Sequence, residues 1–135
     1  MITVYLGGTF PKNNQELYEK YTEKHNILKH RLEELGYKVL SPLRGKVIGS
    51  GWDPNEIVHR DERDIDNSDI MLVLMTEPSI GSSMEIYRAR EICGIPVIVV
   101  TDCFDVYNHY WIRAKVTKIF LSVSEAVDYI GWLIY

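Results

Sequence analysis

Glu85 stands in "TEPSIGSSMEIYRAR", after a hydrophobic run, "DIMLVLM", and a loop of Gly and Ser. A carboxylate in that position has two uses. It can favour a helix start, because the helix dipole stabilises negative charge at its N-terminal end. It can also be a nucleophile, since free N–H groups and the same dipole hold it ionised. A helix from Ser82 to Cys93 would put Glu85 in the first turn, on one stripe with Ala89 and Ile92. That stripe is expected to face the sheet and aim the carboxylate into a crevice.

Further acids crowd "HRDERDIDNSD": Asp61, Glu62, Asp64, Asp66 and Asp69. They are too many for one role, and most are expected to be solvated. From spacing alone Asp61, one turn before Ile65, reads as a surface acid on an exposed helix. "YLGGTF" is the third segment. Gly7 and Gly8 allow backbone to approach a ligand, and Thr9 offers a hydroxyl. The stretch lacks both GxGxxG spacing and a Walker lysine, and Tyr5 within it is compatible with ordinary core.

These segments sit in an alternating pattern of strands and helices. "ITVYL" (2–6), "YKVLS" (37–41), "DIMLVLM" (69–75), "PVIVV" (96–100) and "KIFLS" (118–122) read as strands. The stretch from Asn14 to Gly36 carries Leu17, Tyr21, Leu28, Leu32 and Leu35 at helical spacing, with Gly36 as C′ residue. Pro54 opens a helix with Ile57, Val58 and Ile65 on one face. "SEAVDYIGWLIY" closes the chain as a helix capped by Ser122 or Ser124. The third and fourth strands are unbroken in hydrophobicity, as in parallel sheets covered on both faces. The expected fold is α/β: a three-layer α/β/α sandwich with a five-stranded parallel sheet in flavodoxin-like order 2-1-3-4-5. Long loops are expected at 41–54 and 101–116. Ligands bind such sheets outside the carboxyl ends of the strands, where strand order reverses. The loops after strands one, two and three meet there.

With 135 residues, 46% apolar and 25% charged, the chain fits one domain over 1–135. Its net charge of −4 argues against a nucleic acid polymer or an anionic membrane as partner. The basic cluster "EKHNILKHR" is flanked by acids and reads as a solvated helix face. No apolar run reaches the ~20 residues of a membrane span. Met1 leads straight into a strand, so no signal peptide is expected. Cys93 and Cys103 read as reduced thiols of a cytoplasmic protein. With His25, His30, His59 and His109 they form no ligand pattern, so neither metal nor cofactor is expected.

In this order and spacing, the three segments resemble the nucleoside 2-deoxyribosyltransferase family and its relatives that hydrolyse 2′-deoxynucleoside 5′-monophosphates. The similarity covers residues 2–100 well and the rest loosely. "VYLGGTF" looks like the family's opening, whose tyrosine contacts the catalytic carboxylate; here that is Tyr5. "RDERDIDNSDIMLVL" looks like the element whose active-site aspartate lies eight residues before the strand-opening Asp, which is Asp61 here. "GSSMEIYRA" resembles the family's nucleophile segment. That implies Glu85 as nucleophile, with Gly81, Ser82 and Met84 lining the substrate beside it. "GIPVIVV" matches the turn into strand four. The resemblance implies two-step transfer through a glycosyl-enzyme intermediate, with Asp61 serving base departure or a sugar hydroxyl.

Two features bear on the substrate. "PSIG" resembles the "PSLG" of the monophosphate hydrolases, where Ser79 would bind phosphate, as would Ser82 or Ser83. Phe10 looks like the aromatic of the transferases that packs on the base, and Lys12 or Arg44 would supply a cation. The resemblance also implies a homodimer or higher homo-oligomer with shared active sites. Asn108 lies where family members reach into a neighbouring subunit's site, and Tyr135 is a candidate for a terminal carboxylate in the site. The apolar "GWLIY" is expected in the core or an interface. The alternatives are a non-catalytic nucleotide-sensing module and an NAD-type glycohydrolase on the same fold. A phosphoacceptor receiver is disfavoured, because "GGTF" and "MTEP" stand where its acids should be.

Overall fold

The computed structural model describes residues 1–10, 14–42 and 53–134. Among them the strands are β1 (Thr3–Gly8), β2 (Lys38–Leu40), β3 (Ile70–Leu74), β4 (Val97–Val100) and β5 (Lys118–Phe120). The helices are α1 (Gln15–Glu34), α2 (Pro54–Asp66), α3 (Ile80–Tyr87), α4 (Phe104–Tyr107), α5 (Tyr110–Lys115) and α6 (Val123–Ile134). All strand pairs are parallel, in the order β2-β1-β3-β4-β5, as the sequence alternation implies.

Alternate residues of each strand supply the two cores, since successive side chains leave a strand on opposite faces. Val4, Leu6, Ile70, Leu72, Ile98 and Val100 pack with Leu28 and Leu32 of α1 and with Ala126, Val127 and Ile130 of α6. Tyr5, Met71, Val73, Val97 and Val99 pack with Ile65 of α2, Ile86 of α3, Val106 of α4 and Ile112 of α5. The result is three layers, with the sheet in the middle. No helix among the described residues is long and apolar enough to cross a membrane.

Local chemistry sets the element ends. The Asn14 side chain accepts the Leu17 N–H at 3.1 Å, capping α1, and Gly36 follows that helix with φ of 96°. Asp53 caps α2 ahead of Pro54. The Ser122 hydroxyl accepts the Glu125 N–H at 3.2 Å, so Ser122 rather than Ser124 caps α6. Asp69 fastens β3 to β1 at its start. Its N–H donates to the Thr3 carbonyl and its carboxylate accepts the Thr3 N–H, both at 2.8 Å.

Several expectations need correction. The stretch 101–116 is no loop: it holds α4 and α5, which bury Val106 and Ile112. Leu35 and Val58 are exposed; Leu35 is the C-cap residue, at the end of the apolar stripe. The basic cluster of α1 is not wholly solvated, because His25 within it is 1% exposed. Asp64 is buried too. By contrast, "GWLIY" follows its expectation in part: Leu133 and Ile134 pack against the core, while Trp132 is 71% exposed and stacks on Tyr129 at 5.7 Å. The loop around Arg44, together with Lys12 and Tyr135, lies outside the described residues.

Candidate active site

The sheet order reverses between β1 and β3, and the candidate residues gather at the C-terminal ends of those strands. Tyr5 leaves β1 on the face covered by α2 and α3. Its side chain is fully buried, and its hydroxyl donates to Glu85 Oε2. Burial, then the negative charges of Glu85 and Asp61, push the phenol far above its ordinary pKa. The oxygen therefore keeps its proton and stays a donor. Asp61, half-buried on α2, thus lies within electrostatic reach of the same phenol. Tyr5, Glu85 and Asp61 are brought together from three separate elements.

Glycine limits the crowding beside this group. A Cβ on Gly7 would meet Tyr5 and Met71 at 3.5 Å and Glu85 Oε1 at 3.9 Å. Gly7 therefore leaves room beside Glu85 Oε1 that a side chain would take. Gly8 has a different reason: its Cβ would come within 3.2 Å of the Leu74 carbonyl oxygen. Thr9 continues the junction. Its N–H donates to the Leu74 carbonyl at 3.0 Å and its hydroxyl to the Glu77 carbonyl at 3.2 Å.

Helix α3 begins two residues earlier than its sequence suggests. Ser79 is the N-cap, its hydroxyl accepting the Ser82 N–H at 3.2 Å. Ser82 is buried and donates its own proton to the Gly8 carbonyl at 3.1 Å, fastening α3 to the end of β1. Glu85 consequently stands outside the first turn, which contains no acid, and the dipole argument for its charge loses its basis. Its donor is Tyr5 instead. The stripe also changes. Beyond Tyr87 the helix widens into a π-helical segment, Arg88–Ile92, in which each residue advances less around the axis than in an α-helix. Ala89 stays buried, as expected, but Ile92 turns outward to 62% exposure.

Arg88, at the start of the π segment, was not singled out by its sequence context. Its Nε and Nη2 grip the two oxygens of Asp66 at 2.9 and 2.8 Å, and Nη1 meets Glu62 at 2.7 Å. The bidentate clamp ties α2, which carries Asp61, to the helix that carries Glu85. An Arg three residues after the Glu and an acid-rich facing helix were the available signals.

The remaining predicted residues are placed as follows. Phe10 packs edge-on against His25, with ring centroids 5.3 Å apart, and lies 6.2 Å from Tyr18. It lines a cleft with Gly8, Thr9, Tyr21, Lys24, His25, Leu74 and Thr76. Gly81 and Met84 are exposed on α3. Ser83 donates its hydroxyl to the Ser79 carbonyl at 2.7 Å. Asn108 is exposed at the C-cap of α4, and its amide donates to the Phe104 carbonyl at 3.0 Å. Cys93 and Cys103 form no disulfide. Among the described residues no cluster of His, Cys, Asp and Glu could hold a metal ion.

No protein-family model matches the chain, and no curated protein matches it in sequence. Solved structures do match it in fold. A 2-deoxyribosyltransferase from Bacillus psychrosaccharolyticus superposes with a TM-score of 0.70 at 21% identity, over 92% of this chain and 89% of that one. The CMP N-glycosidase BcmB of Clostridium botulinum gives 0.63 at 17%, over 96% and 98%. A 2-deoxyribosyltransferase from Leishmania mexicana gives 0.66 at 15%, over 96% of each chain. At these identities the likeness is one of fold.

Proposed function

We propose that the protein cleaves or transfers at the N-glycosidic bond of a nucleoside, a deoxynucleoside or its 5′-monophosphate, with Glu85 as nucleophile. The observation that carries this reading is the carboxylate of Glu85 at the strand-order switch point, where Oε2 accepts from the buried Tyr5 hydroxyl and Oε1 lies 3.9 Å from the Cβ position of Gly7. The fold neighbours named for deoxyribosyl transfer and for CMP N-glycosidase activity support the same class.

In the first step Glu85 attacks the anomeric carbon. A C–O ester bond forms, and the C–N bond breaks with its electron pair leaving on the base. Asp61 supplies a proton to the departing base or a hydrogen bond to a sugar hydroxyl. In the second step water or another base attacks the same carbon, and the Glu85 carboxylate leaves. The Tyr5 hydroxyl steadies the charge that returns to it. Phe10 packs on the base. Ser79 takes a 5′-phosphate through its hydroxyl proton, since its lone pair already caps α3. Gly8, Thr9, Gly81, Ser82 and Met84 frame the substrate around these groups.

We also propose a homodimer with shared sites, acting in a reducing, cytoplasmic setting. Phe104, Tyr110 and Trp111 are largely exposed on α4 and α5, and α5 packs on α3, where Ile80 and Met84 are exposed. A second copy over this apolar surface would bring Asn108 toward its neighbour. Sedimentation of Trp111→Glu checks it: a dimer in wild type and a monomer in the variant are expected, and a monomeric wild type refutes it.

The catalytic test is incubation with deoxynucleosides and their 5′-monophosphates, with and without a second free base. Base exchange identifies a transferase, and free sugar or sugar phosphate identifies a hydrolase. Glu85→Gln should abolish either activity while leaving the fold intact; full activity in that variant removes Glu85 from the chemistry. Binding without turnover in wild type would favour a sensing module, and nicotinamide release from NAD a dinucleotide glycohydrolase.

A further inference from the structure

The parallel ladder between β1 and β2 lacks a donor next to the site. The Lys38 N–H donates to the Ile2 carbonyl at 2.9 Å, and the register pairs Thr3 with Lys38 and Tyr5 with Leu40. The two-residue repeat of the ladder assigns the Leu40 N–H to Val4 and the N–H of residue 42 to Leu6. Residue 42 is Pro42, which has no N–H. The Leu6 carbonyl belongs to the peptide joining Leu6 to Gly7, whose Cβ position lies 3.9 Å from Glu85 Oε1, and leaving it unpaired in the interior would be costly.

His25 of α1 takes that place. Its Nε2 lies 2.9 Å from the Leu6 oxygen. A carbonyl oxygen only accepts, so Nε2 carries the proton. Ser41 Oγ stands 3.3 Å from the same nitrogen, and Nδ1 has no protein partner among the described residues. Burial, helped by the charge of Lys29, holds the imidazole below its ordinary pKa against the opposing effect of the Leu6 hydrogen bond. The same ring meets Phe10 edge-on. One side chain therefore fixes the peptide before Gly7 and the aromatic that follows Thr9.

We infer that His25 is a positioning residue for the Glu85 site, standing in for the backbone donor that Pro42 cannot supply. It holds the end of β1, and with it Gly7, against Glu85, and it holds the Phe10 ring at the cleft. Gln at this position reaches the Leu6 carbonyl with an amide N–H but offers no ring to Phe10. Met fills the space and offers neither. Alanine at position 42 returns a ladder donor.

The test uses the full chain and the variants His25→Met, His25→Gln, Pro42→Ala and the double variant His25→Met/Pro42→Ala. Its activity arm rests on the proposed glycosidic chemistry; its other two arms do not. In the activity arm His25→Met lowers kcat about tenfold or more in folded protein, as small misplacements of reacting groups do. His25→Gln recovers kcat to within about threefold while KM stays raised, because Phe10 still lacks its partner. A kcat unchanged in His25→Met refutes the inference, as does a loss of kcat that Gln fails to recover.

In the stability arm Pro42→Ala raises the Tm of His25→Met but not that of wild type, so the two changes are non-additive. Additive shifts refute the substitution of donors. In the spectroscopic arm, imidazole 15N shifts show the Nε2–H tautomer in the neutral ring between about pH 7 and 8, and an Nδ1–H ring refutes it. If wild type turns over no glycoside while the stability and 15N results hold, the proposed function fails and the donor role of His25 stands.

Discussion

Tyr5→Phe removes one oxygen atom, and the structure sets the size of its effect. The Tyr5 hydroxyl is a buried donor to a carboxylate. Hydrogen bonds to charged groups contribute about 1.5–3 kcal/mol, which corresponds to about 10–150-fold in rate if the interaction is felt in a transition state. The two chemical steps feel it differently. In the proposed mechanism glycosylation would consume the Glu85 charge, so losing the donor would leave the carboxylate the stronger nucleophile. Deglycosylation would regenerate that charge, so losing the donor would slow carboxylate departure. The variant should show a burst of base release followed by a steady-state rate about 10–100-fold below wild type. Rapid-quench measurement of base release checks this. Stability should fall by only about 1 kcal/mol, because half-exposed Glu85 can turn to water for a donor. A variant within about twofold of wild type, with no burst, would show that the Tyr5–Glu85 contact is a packing feature outside the chemistry.

Three other outcomes are expected. Gly7→Ala should keep or gain about 0.5–1 kcal/mol of stability, since Gly7 has no positive φ and its Cβ meets only ordinary contacts. It should nevertheless lose activity, because the methyl stands 3.9 Å from Glu85 Oε1; urea unfolding beside the activity assay separates the two. Arg88→Met should cost about 1 kcal/mol at neutral pH, as its ion pairs are partly exposed. The Arg88 hydrogen bonds hold the Asp66 carboxyl below its ordinary pKa, so this contribution is present above about pH 4 and fades as pH falls. Unfolding of wild type and variant at neutral and acid pH should therefore show a difference that shrinks in acid. For His25 the sign is reversed. Its folded pKa is lowered, so the unfolded chain takes the proton first and stability declines as pH falls below about 6.5. Urea unfolding across that range should show a shallower decline in His25→Gln.

The sequence by itself determined the sheet. Unbroken apolar strands alternating with amphipathic helices leave few arrangements that bury both faces, and chain handedness selects among them. The glycine that ends α1 at Gly36 and the start of α2 at Pro54 were equally legible, because such end signals act within one turn. At the site the sequence supplied identities and the tertiary structure supplied geometry. Ser79 and Ser82 are both able to cap α3. Which of them does so depends on Ser82 finding the Gly8 carbonyl 74 residues away, and that contact moved Glu85 out of the first turn. The π segment that turned Ile92 outward lies where Arg88 grips Asp66 across the helix interface. His25 sits among charged residues and reads as surface until the register of β1 on β2 brings Pro42 level with the Leu6 carbonyl. Each case is a hydrogen-bonding group whose partner is distant along the chain. Periodicity and capping signals are local, so only the folded chain could decide where such groups are satisfied.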